Sequence, residues 1–358
     1  AFPCYFPQNE KFVEKCGKNY GTKPEYTLSN GAYTMTKWIK GNKATFTKND
    51  KYYDAKAVKT KNLEMFLVQD PKTAAQNFDN GKVDYATINS TLVDKYKGKD
   101  TFTTFNEGYL FYLQLNFKND TVANKNVREA LAYAINRKDL CENVLKDGSK
   151  GATGFIPSQL STSPAGKDFR DDADKYVSYD QKKAQEYLDA AKKELGTDTI
   201  TIDLLYGTDE SPMDTMAEYL QGSFSKLKGL KVNMVATVKK DRIYNREANG
   251  NFQVVCTRWG PDYADPTTYL NLALTDNSNN YGKYANAKFD ALMEQIQKES
   301  DLTKRWDLMI QAEKVMMEDM AYIPVFEKGS AALKAKNVKG LVVVPVGTPY
   351  TFKYVKLK

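Results

Sequence analysis

The alternation of apolar and polar residues along the first hundred positions predicts the short helices and strands of a mixed α/β region. The first helix is expected to place Phe12, Val13 and Cys16 inward and to stop at Gly17. A turn signal at Asn30-Gly31 precedes the strands. The predicted elements are a helix at 8–17, strands at 32–39, 43–48 and 62–69, a helix at 71–80 and a strand at 83–86.

The pattern changes at about residue 108, where a strongly apolar and aromatic strand begins. Strands and helices then alternate, which favours α/β units. The predicted elements are strands at 109–117, 199–206, 230–238 and 252–259, helices at 126–136, 180–195, 211–227, 240–249, 286–299 and 302–321, and closing strands at 323–326, 331–333, 342–346 and 350–355.

The helix predicted at 302–321 carries a stripe of apolar residues rich in methionine. We assign this stripe to the core and not to a binding groove, because methionine fills irregular gaps in cores. Its members are Leu302, Trp306, Met309, Ile310, Met316, Met317 and Met320.

The segment 259–266 is the most informative stretch of the chain. An apolar run, Phe252 to Cys256, predicts a buried strand that leads into it, and Gly260-Pro261 ends that strand. Asp265-Pro266 is typical of a helix start, with aspartate as N-cap and proline in the first helical position. This interpretation leaves Asp262 at the mouth of a strand.

Asp262 stands between two large aromatic residues, Trp259 and Tyr263. A carboxylate in such a place can hold an ammonium ion, to which both rings add cation–π attraction. The alternative is an ordinary strand-to-helix turn with a buried tryptophan and two solvated acids, because aspartates are common in such turns.

Length and charge narrow the class of protein. A chain of 358 residues is expected to fold into two or more lobes. Its apolar runs are all shorter than the roughly 18 residues of a membrane span. The net charge is +7, and residues 1–100 hold 17 lysines and no arginine against 11 acids. These lysines are scattered singly, so we expect a mildly basic surface and no nucleic-acid partner.

The absence of histidine excludes Ser-His-Asp and Cys-His catalysis and most transition-metal sites. The four cysteines lack CxxC spacing, so a zinc or redox motif is not expected and we predict no cofactor. Cys141 and Cys256 are predicted to be inert core thiols. Pairing of Cys4 with Cys16 is left open.

Several segments, in order, resemble the oligopeptide and dipeptide members of the extracellular solute-binding proteins of family 5. Each motif is weak alone, and their shared order across nearly the whole chain carries the resemblance. They are Phe6-Pro7-Gln8-Asn9 with Tyr20-Gly21-Thr22, Asn30-Gly31-Ala32-Tyr33 with Trp38, Lys48-Asn49 with Tyr52-Tyr53, Val127-Arg128-Glu129-Ala130-Leu131 with Ala134-Ile135-Asn136-Arg137, Gly154-Phe155-Ile156-Pro157, and 259–266.

The resemblance implies an α/β fold of the type II periplasmic-binding-protein kind (cluster C), with two lobes. Residues 1–108 would form part of lobe I, residues 109–325 the large C-terminal lobe, and residues 326–358 the strands that return to lobe I. Family members are longer at the N-terminus, so we expect an N-terminally truncated fragment that lacks part of lobe I.

The resemblance also implies a function. The chain is expected to be the substrate-binding component of a bacterial ABC importer, without enzymatic activity, that captures peptides and delivers them to membrane permease subunits. We expect a monomer that is extracytoplasmic, either periplasmic or a cell-surface lipoprotein whose anchor is not in this sequence. In the family, the aspartate matching Asp262 binds the free amino terminus of the peptide.

The remaining site residues are predicted from what all peptides share. Arginine pairs bidentately with carboxylates, which makes Arg258 and Arg246 candidates for the carboxy terminus. The oligopeptide-binding relative has an arginine at the position of Cys256, and Arg258 lies on the same strand face. The alternative is that Arg242, Arg246 and Arg258 are surface charges.

Aromatic residues are candidates for the apolar walls of the binding cleft, and one amide for the peptide backbone. The alternative for each is a place in the core of the sheet. The residues are Tyr109, Tyr112, Tyr206, Trp259 and Asn116.

Two other functions stay open. One is a receptor of the same fold for a non-peptide solute, such as a sugar or a metal complex. The other is a hydrolase that uses Asp262 and Asp265 as a pair of acids. The predicted capping role of Asp265 disfavours the second.

Overall fold

The structure is a computed structural model that describes residues 6–358. Cys4, and with it the possible Cys4–Cys16 pair, lies outside the described residues. The strands are β1 (Tyr33–Ile39), β2 (Lys43–Lys48), β3 (Asn62–Phe66), β4 (Tyr85–Ile88), β5 (Phe102–Leu115), β6 (Lys150–Gly151), β7 (Ile200–Gly207), β8 (Leu230–Thr237), β9 (Val254–Trp259), β10 (Tyr322–Lys334), β11 (Val338–Lys339), β12 (Val342–Val343), β13 (Tyr350–Thr351) and β14 (Lys356–Leu357).

The helices follow the predicted pattern, with short turns of 3-10 helix between them. Residues Leu140–Leu145 and Arg242–Glu247 are wound as π-helix. The α-helices are α1 (Glu10–Cys16), α2 (Pro71–Asp79), α3 (Ser90–Tyr96), α4 (Asp120–Ala123), α5 (Lys125–Ala134), α6 (Arg137–Asp139), α7 (Phe169–Asp172), α8 (Gln181–Leu195), α9 (Met213–Phe224), α10 (Lys239–Asp241), α11 (Thr267–Leu270), α12 (Ala287–Lys298) and α13 (Leu302–Glu318).

The chain divides into two compact units. The first unit comprises Ala1–Phe105 and Ser330–Lys358, and the second comprises Asn106–Gly329. Both passages between the units fall inside long strands, β5 and β10. The predicted boundaries at 108/109 and 325/326 lie near these positions, and the assignment of the units as functional lobes stays a prediction.

In the first unit, β1, β2 and β3 form an antiparallel sheet in that order. β4 pairs with the end of β10, from Ala331 to Lys334. Helices α2 and α3 cover this pair and bury a small apolar core. Its buried members are Ala75, Ile88, Val93, Tyr96, Ala331 and Leu333.

The second unit is built on a sheet in the order β10-β5-β9-β7-β8. β7 runs parallel to β8 and β9, whereas β5 is antiparallel to β9. The carboxyl ends of β7, β8 and β9 therefore meet at one edge, together with the middle of β5, where Leu110 pairs with Trp259. Stacked rings of Phe111 and Phe326, 4.5 Å apart, lie in the core of the unit.

The methionine stripe of α13 is confirmed as core, since Met309, Met316 and Met317 are at most 1% exposed. Leu302 was predicted to face inward, and this prediction is wrong, since it is the first residue of α13 and is 66% exposed. The strands predicted at 323–326 and 331–333 are one strand, β10, and α3 was not predicted.

A buried glutamate fixes the loop that contains Gly154-Phe155-Ile156-Pro157. Glu313, on α13, is inaccessible to solvent and accepts hydrogen bonds from the backbone amides of Phe155 at 2.8 Å and Ile156 at 2.9 Å. It also pairs with Arg170. The carboxylate of Glu313 is therefore the shared acceptor for two backbone amides of the loop and for the guanidinium of Arg170.

We predict that Glu313→Ala destabilises the protein by about 3–5 kcal/mol, because it leaves Arg170 and two amides buried without their acceptor. Urea unfolding measures this change. Glu318→Ala, an exposed site on the same helix, is the control and should stay within about 0.5 kcal/mol of the parent. Equal unfolding midpoints for the two variants would contradict this role of Glu313.

Candidate functional site

All nine residues predicted for the site belong to the second unit, which spans Asn106–Gly329. Several of them lie where β7 and β9 end, beside the middle of β5. In α/β sheets, ligands bind at the carboxyl ends of parallel strands, where loops leave the sheet and the edge is open. This edge is therefore the place where a binding site is expected.

The turn after β9 holds Asp262 with its side chain exposed. The Asp262 backbone amide donates to Oγ1 of Thr268 at 3.0 Å, which ties the turn to α11. Within residues 6–358 the carboxylate of Asp262 has no ion pair and accepts no hydrogen bond, and partial burial raises its pKa above the ordinary value. An unpaired carboxylate at the edge of a sheet is free to receive a cation.

Asp265, three residues further on, has its charge satisfied internally. Arg305 donates to both of its carboxylate oxygens, at 2.6 Å and 3.0 Å, and Thr267 donates its amide at 3.0 Å. Burial raises the pKa of Asp265, but the hydrogen bonds from Arg305 and Thr267 outweigh burial and lower it. Asp265 therefore accepts the first amide of α11, as predicted for a cap, although the N-cap position itself is held by Pro266, and its charge is committed to Arg305.

Arg258 and Tyr109 are in direct contact. The guanidinium of Arg258 lies 5.2 Å from the ring centre of Tyr109, an attractive cation–π arrangement. Glycine is required at position 260, because a Cβ there would overlap the Tyr109 ring. The strand register places Tyr206 on the same face of the sheet as Arg258, and its side chain is half-buried.

The two aromatic neighbours of Asp262 differ in position. Tyr263 is 38% exposed, and its hydroxyl accepts hydrogen bonds from Thr267 and Asn271 at 3.3 Å and 3.2 Å. Trp259 is paired with Leu110 and therefore faces the side of the sheet opposite to Arg258. The indole Nε1 of Trp259 is buried and finds no acceptor in the described part of the chain.

Tyr112 is a core residue, which corrects its prediction as a cleft wall. Its side chain is 4% exposed and packs edge-on against Phe155 and Tyr322, at ring distances of 5.0 Å and 5.6 Å. The reason is its position along β5, because both faces of the strand are covered from Leu110 onward. Phe111, on the same face as Tyr109, is also inaccessible to solvent.

Asn116 also has a structural role, which corrects its prediction as a ligand for the peptide backbone. Its amide donates to the carbonyl groups of Gly250 at 3.0 Å and Phe252 at 2.9 Å. Its backbone amide donates a hydrogen bond to the carbonyl of Gln253 at 2.9 Å, just before the amino end of β9. Six residues of strand separate Gln253 from Trp259, or about 20 Å at ~3.3 Å per residue, so Asn116 lies at the wrong end of the strand.

Arg246 was predicted as a partner for a carboxylate. In the structure its Nε pairs with Asp241 at 3.2 Å, and the side chain is 45% exposed. Asp241 also accepts a hydrogen bond from Thr237 at the end of β8. Arg246 is thus engaged by an internal carboxylate, whereas Arg258 has no hydrogen bond within residues 6–358.

A cluster of buried charges beside Arg258 was not predicted. Arg242, expected as a surface charge if it had no role in binding, is 2% exposed and pairs with both Glu210 and Glu247. It also donates to the hydroxyl of Thr257 at 3.0 Å. The position of Glu210, just beyond the carboxyl end of β7, is the signal that could have indicated it.

Cys141 and Cys256 are buried core residues, as predicted. Burial raises the pKa of Cys141 to about 12 and raises that of Cys256 further above its ordinary value. In the described part of the chain, histidine, cysteine and acidic side chains do not gather into a metal-binding group. Across residues 6–358, none of the helices combines the length and the apolar character needed to span a bilayer.

A cavity of about 470 Å³ belongs to the first unit and so is separate from the predicted site residues. It opens between the edges of β3 and β4 and is lined largely by apolar side chains. Among them are Leu63, Phe66, Val83, Tyr85, Leu341 and Phe352.

Comparisons with known proteins agree with this fold. Residues 1–281 match the sequence profile of the bacterial extracellular solute-binding proteins, family 5, middle region. The dipeptide-binding protein of Lactococcus lactis is 32% identical over 99% of this chain and 68% of its own length. The dipeptide-binding protein DppE of Bacillus subtilis is 30% identical over 96% of this chain and 63% of its own.

Solved structures show the same relationship. OppA of Listeria monocytogenes bound to peptide superposes with a TM-score of 0.76 and 33% identity over 100% of this chain and 70% of that one. The pheromone receptor PrgZ gives a TM-score of 0.76 and 30% identity over 99% and 70% of the two chains. The chain belongs to family 5 of the bacterial extracellular solute-binding proteins and has the type II periplasmic-binding-protein fold.

The charge cluster predicts a pH dependence of stability. Burial raises the pKa of Glu247 from 4.5 to about 7, although Arg242 opposes this shift, and the charge of Glu210 adds to it. A folded-state pKa above the unfolded value means that the contribution of Glu247 to stability is full below pH 4.5 and is lost as the pH rises to about 7.

We therefore predict that Glu247→Gln makes the free energy of unfolding fall less steeply between pH 4.5 and pH 7, with a difference of up to roughly 3 kcal/mol across that window. Urea titrations at a series of pH values measure it. Other buried acids affect the parent and the variant equally. The readout is therefore the difference between their two curves of unfolding free energy against pH. Parallel curves would contradict the prediction.

Proposed function

We propose that this chain is the peptide-capturing, substrate-binding component of an ABC importer. The observation that carries the proposal is Asp262, an exposed and unpaired carboxylate at the carboxyl edge of the sheet. Arg258, with a half-exposed guanidinium, lies four residues earlier on the same strand and turn. In our proposal these two residues belong to one site, with an acceptor for an ammonium group and a donor for a carboxylate, the two charges that every free peptide carries.

The roles follow from charge and exposure. Asp262 binds the amino terminus of the peptide through charge-assisted hydrogen bonds, and Arg258 binds the carboxy terminus. Tyr109, Tyr206 and Tyr263 present aromatic surface that accepts apolar side chains without demanding one sequence.

The relatives support this assignment, because their names describe dipeptide-binding and oligopeptide-binding proteins. In our proposal the two compact units are the lobes of the receptor, and the permease subunits of the transporter are its partners. The protein works outside the cytoplasm as a monomer, either in the periplasm or held at the cell surface by a lipid anchor. In the proposal it is a receptor and not an enzyme, because its family consists of solute-binding proteins and Arg305 engages one acid of the alternative Asp262–Asp265 pair.

We predict that Asp262→Asn weakens the binding of peptides with a free amino terminus by about tenfold or more, because a charge-assisted bond becomes a neutral one. The probe is a pool of random dipeptides to pentapeptides, offered with free and with acetylated amino termini. Peptides retained by the chain are quantified by mass spectrometry.

The variant Asp276→Asn is the matched control, since Asp276 is also an exposed aspartate of the second unit. It should retain free peptides as the parent does. Equal retention of free and acetylated peptides by the parent protein would show that Asp262 does not read the amino terminus. Retention of neither pool, with binding of a sugar instead, would favour the receptor for a non-peptide solute.

A further inference from the structure

Glu210 occupies a distinctive position beside the site. It follows the carboxyl end of β7, yet its side chain is 5% exposed. One carboxylate oxygen accepts two hydrogen bonds from Arg242, at 2.8 Å and 3.1 Å. The other oxygen is buried and accepts no hydrogen bond within the described residues, and it faces Lys239 at 3.5 Å and Arg258 at 3.8 Å.

Arg242 holds this carboxylate in place. Besides Glu210, its guanidinium binds Glu247 and the hydroxyl of Thr257, so that all of its bonding is internal. A buried guanidinium with two carboxylates around it has little freedom, because any rotation would leave a charge unpaired in a poorly solvated place. The orientation of the Glu210 carboxylate is therefore fixed by the buried guanidinium of Arg242, which a ligand does not reach.

Arg258 contacts the buried cluster through one edge of its guanidinium, the Nε side. Its Nε faces the second oxygen of Glu210, and its plane lies against the rings of Tyr109 and Phe111, 5.2 Å and 5.8 Å from their centres. Its terminal nitrogens make no hydrogen bond within residues 6–358. The Arg258 side chain is 31% exposed, so its terminal nitrogens are left to pair with a carboxylate from solution.

We propose that Glu210 is a positioning residue that orients Arg258 to receive the carboxylate of the bound peptide. Glu210 itself does not touch the ligand. The inference rests on the proposed function, and it specifies the ligand class as peptides with a free carboxy terminus. Lys239 is half-exposed and lies near the same oxygen, so it also balances the charge of Glu210. Its ammonium lacks the planar fork with which an arginine pairs with a carboxylate.

The test compares pools of random dipeptides to pentapeptides with free and with amidated carboxy termini. The readout is the ratio of the two pools retained by the 358-residue chain. For the parent protein we expect the free-acid pool to be preferred by about tenfold. Arg258→Gln should bring the ratio close to one, and Glu210→Gln should lower it by about threefold or more.

A purely structural role for Glu210 would reduce retention of both pools together and leave the ratio unchanged, which would overturn the inference. In the double variant Glu210→Gln with Arg258→Gln, the ratio should equal that of Arg258→Gln alone, because Glu210 acts through Arg258. Glu218→Gln, an exposed site on α9, is the control for the chemical change and should leave the ratio as it is.

Arg258→Lys provides a test that leaves the buried cluster intact, should Glu210→Gln fail to fold. Lysine keeps the charge and lacks the Nε–H and the fork, so the ratio should fall nearly as far as in Arg258→Gln. A full ratio in Arg258→Lys would show that charge alone suffices and would refute the positioning role. A parent that retains both pools equally refutes the inference alone, whereas a parent that retains neither refutes the proposed function.

Discussion

One buried guanidinium constrains the functional edge of this protein. Arg242 is nearly inaccessible to solvent, and its charge has to be met by partners within the fold. Glu210 from the loop after β7 and Thr257 from β9 meet it, together with Glu247, which ends the π-helix that Arg242 begins. An unpaired buried charge is costly, so these contacts hold the segments together at the carboxyl edge of the sheet. Arg258, next to Glu210, is positioned by them.

The two aspartates of the turn after β9 show how burial and pairing separate residues of the same type. Asp265 lies beside Arg305 and the start of α11, and hydrogen bonds stabilise its charged form. Asp262, three residues away, has its carboxylate in the open without a partner in the described residues. One carboxylate stabilises the turn, and the other is left to interact with a ligand.

The sheet itself sorts the aromatic residues into two groups. Tyr109 lies at the open edge beside Arg258, whereas Tyr112, three residues further along β5, lies where both faces of the strand are covered. A receptor for varied ligands benefits from this arrangement. Its rigid core holds the charged contacts in place, and its exposed rings supply apolar surface that tolerates different side chains.

The sequence alone determined most of the secondary structure and the role of one site residue. Periodicity predicted most helices and strands, because the face of an amphipathic element is written in its own residues, and Asp265 could be assigned as a cap from its neighbours alone. Only the tertiary structure decided which polar residues are structural. Asn116 lies at the far end of β9, Arg242 is buried, and Glu210 stands beside Arg258 from a segment 48 residues away. The pairing of charges depends on contacts between distant segments, and no local pattern of residues encodes those contacts.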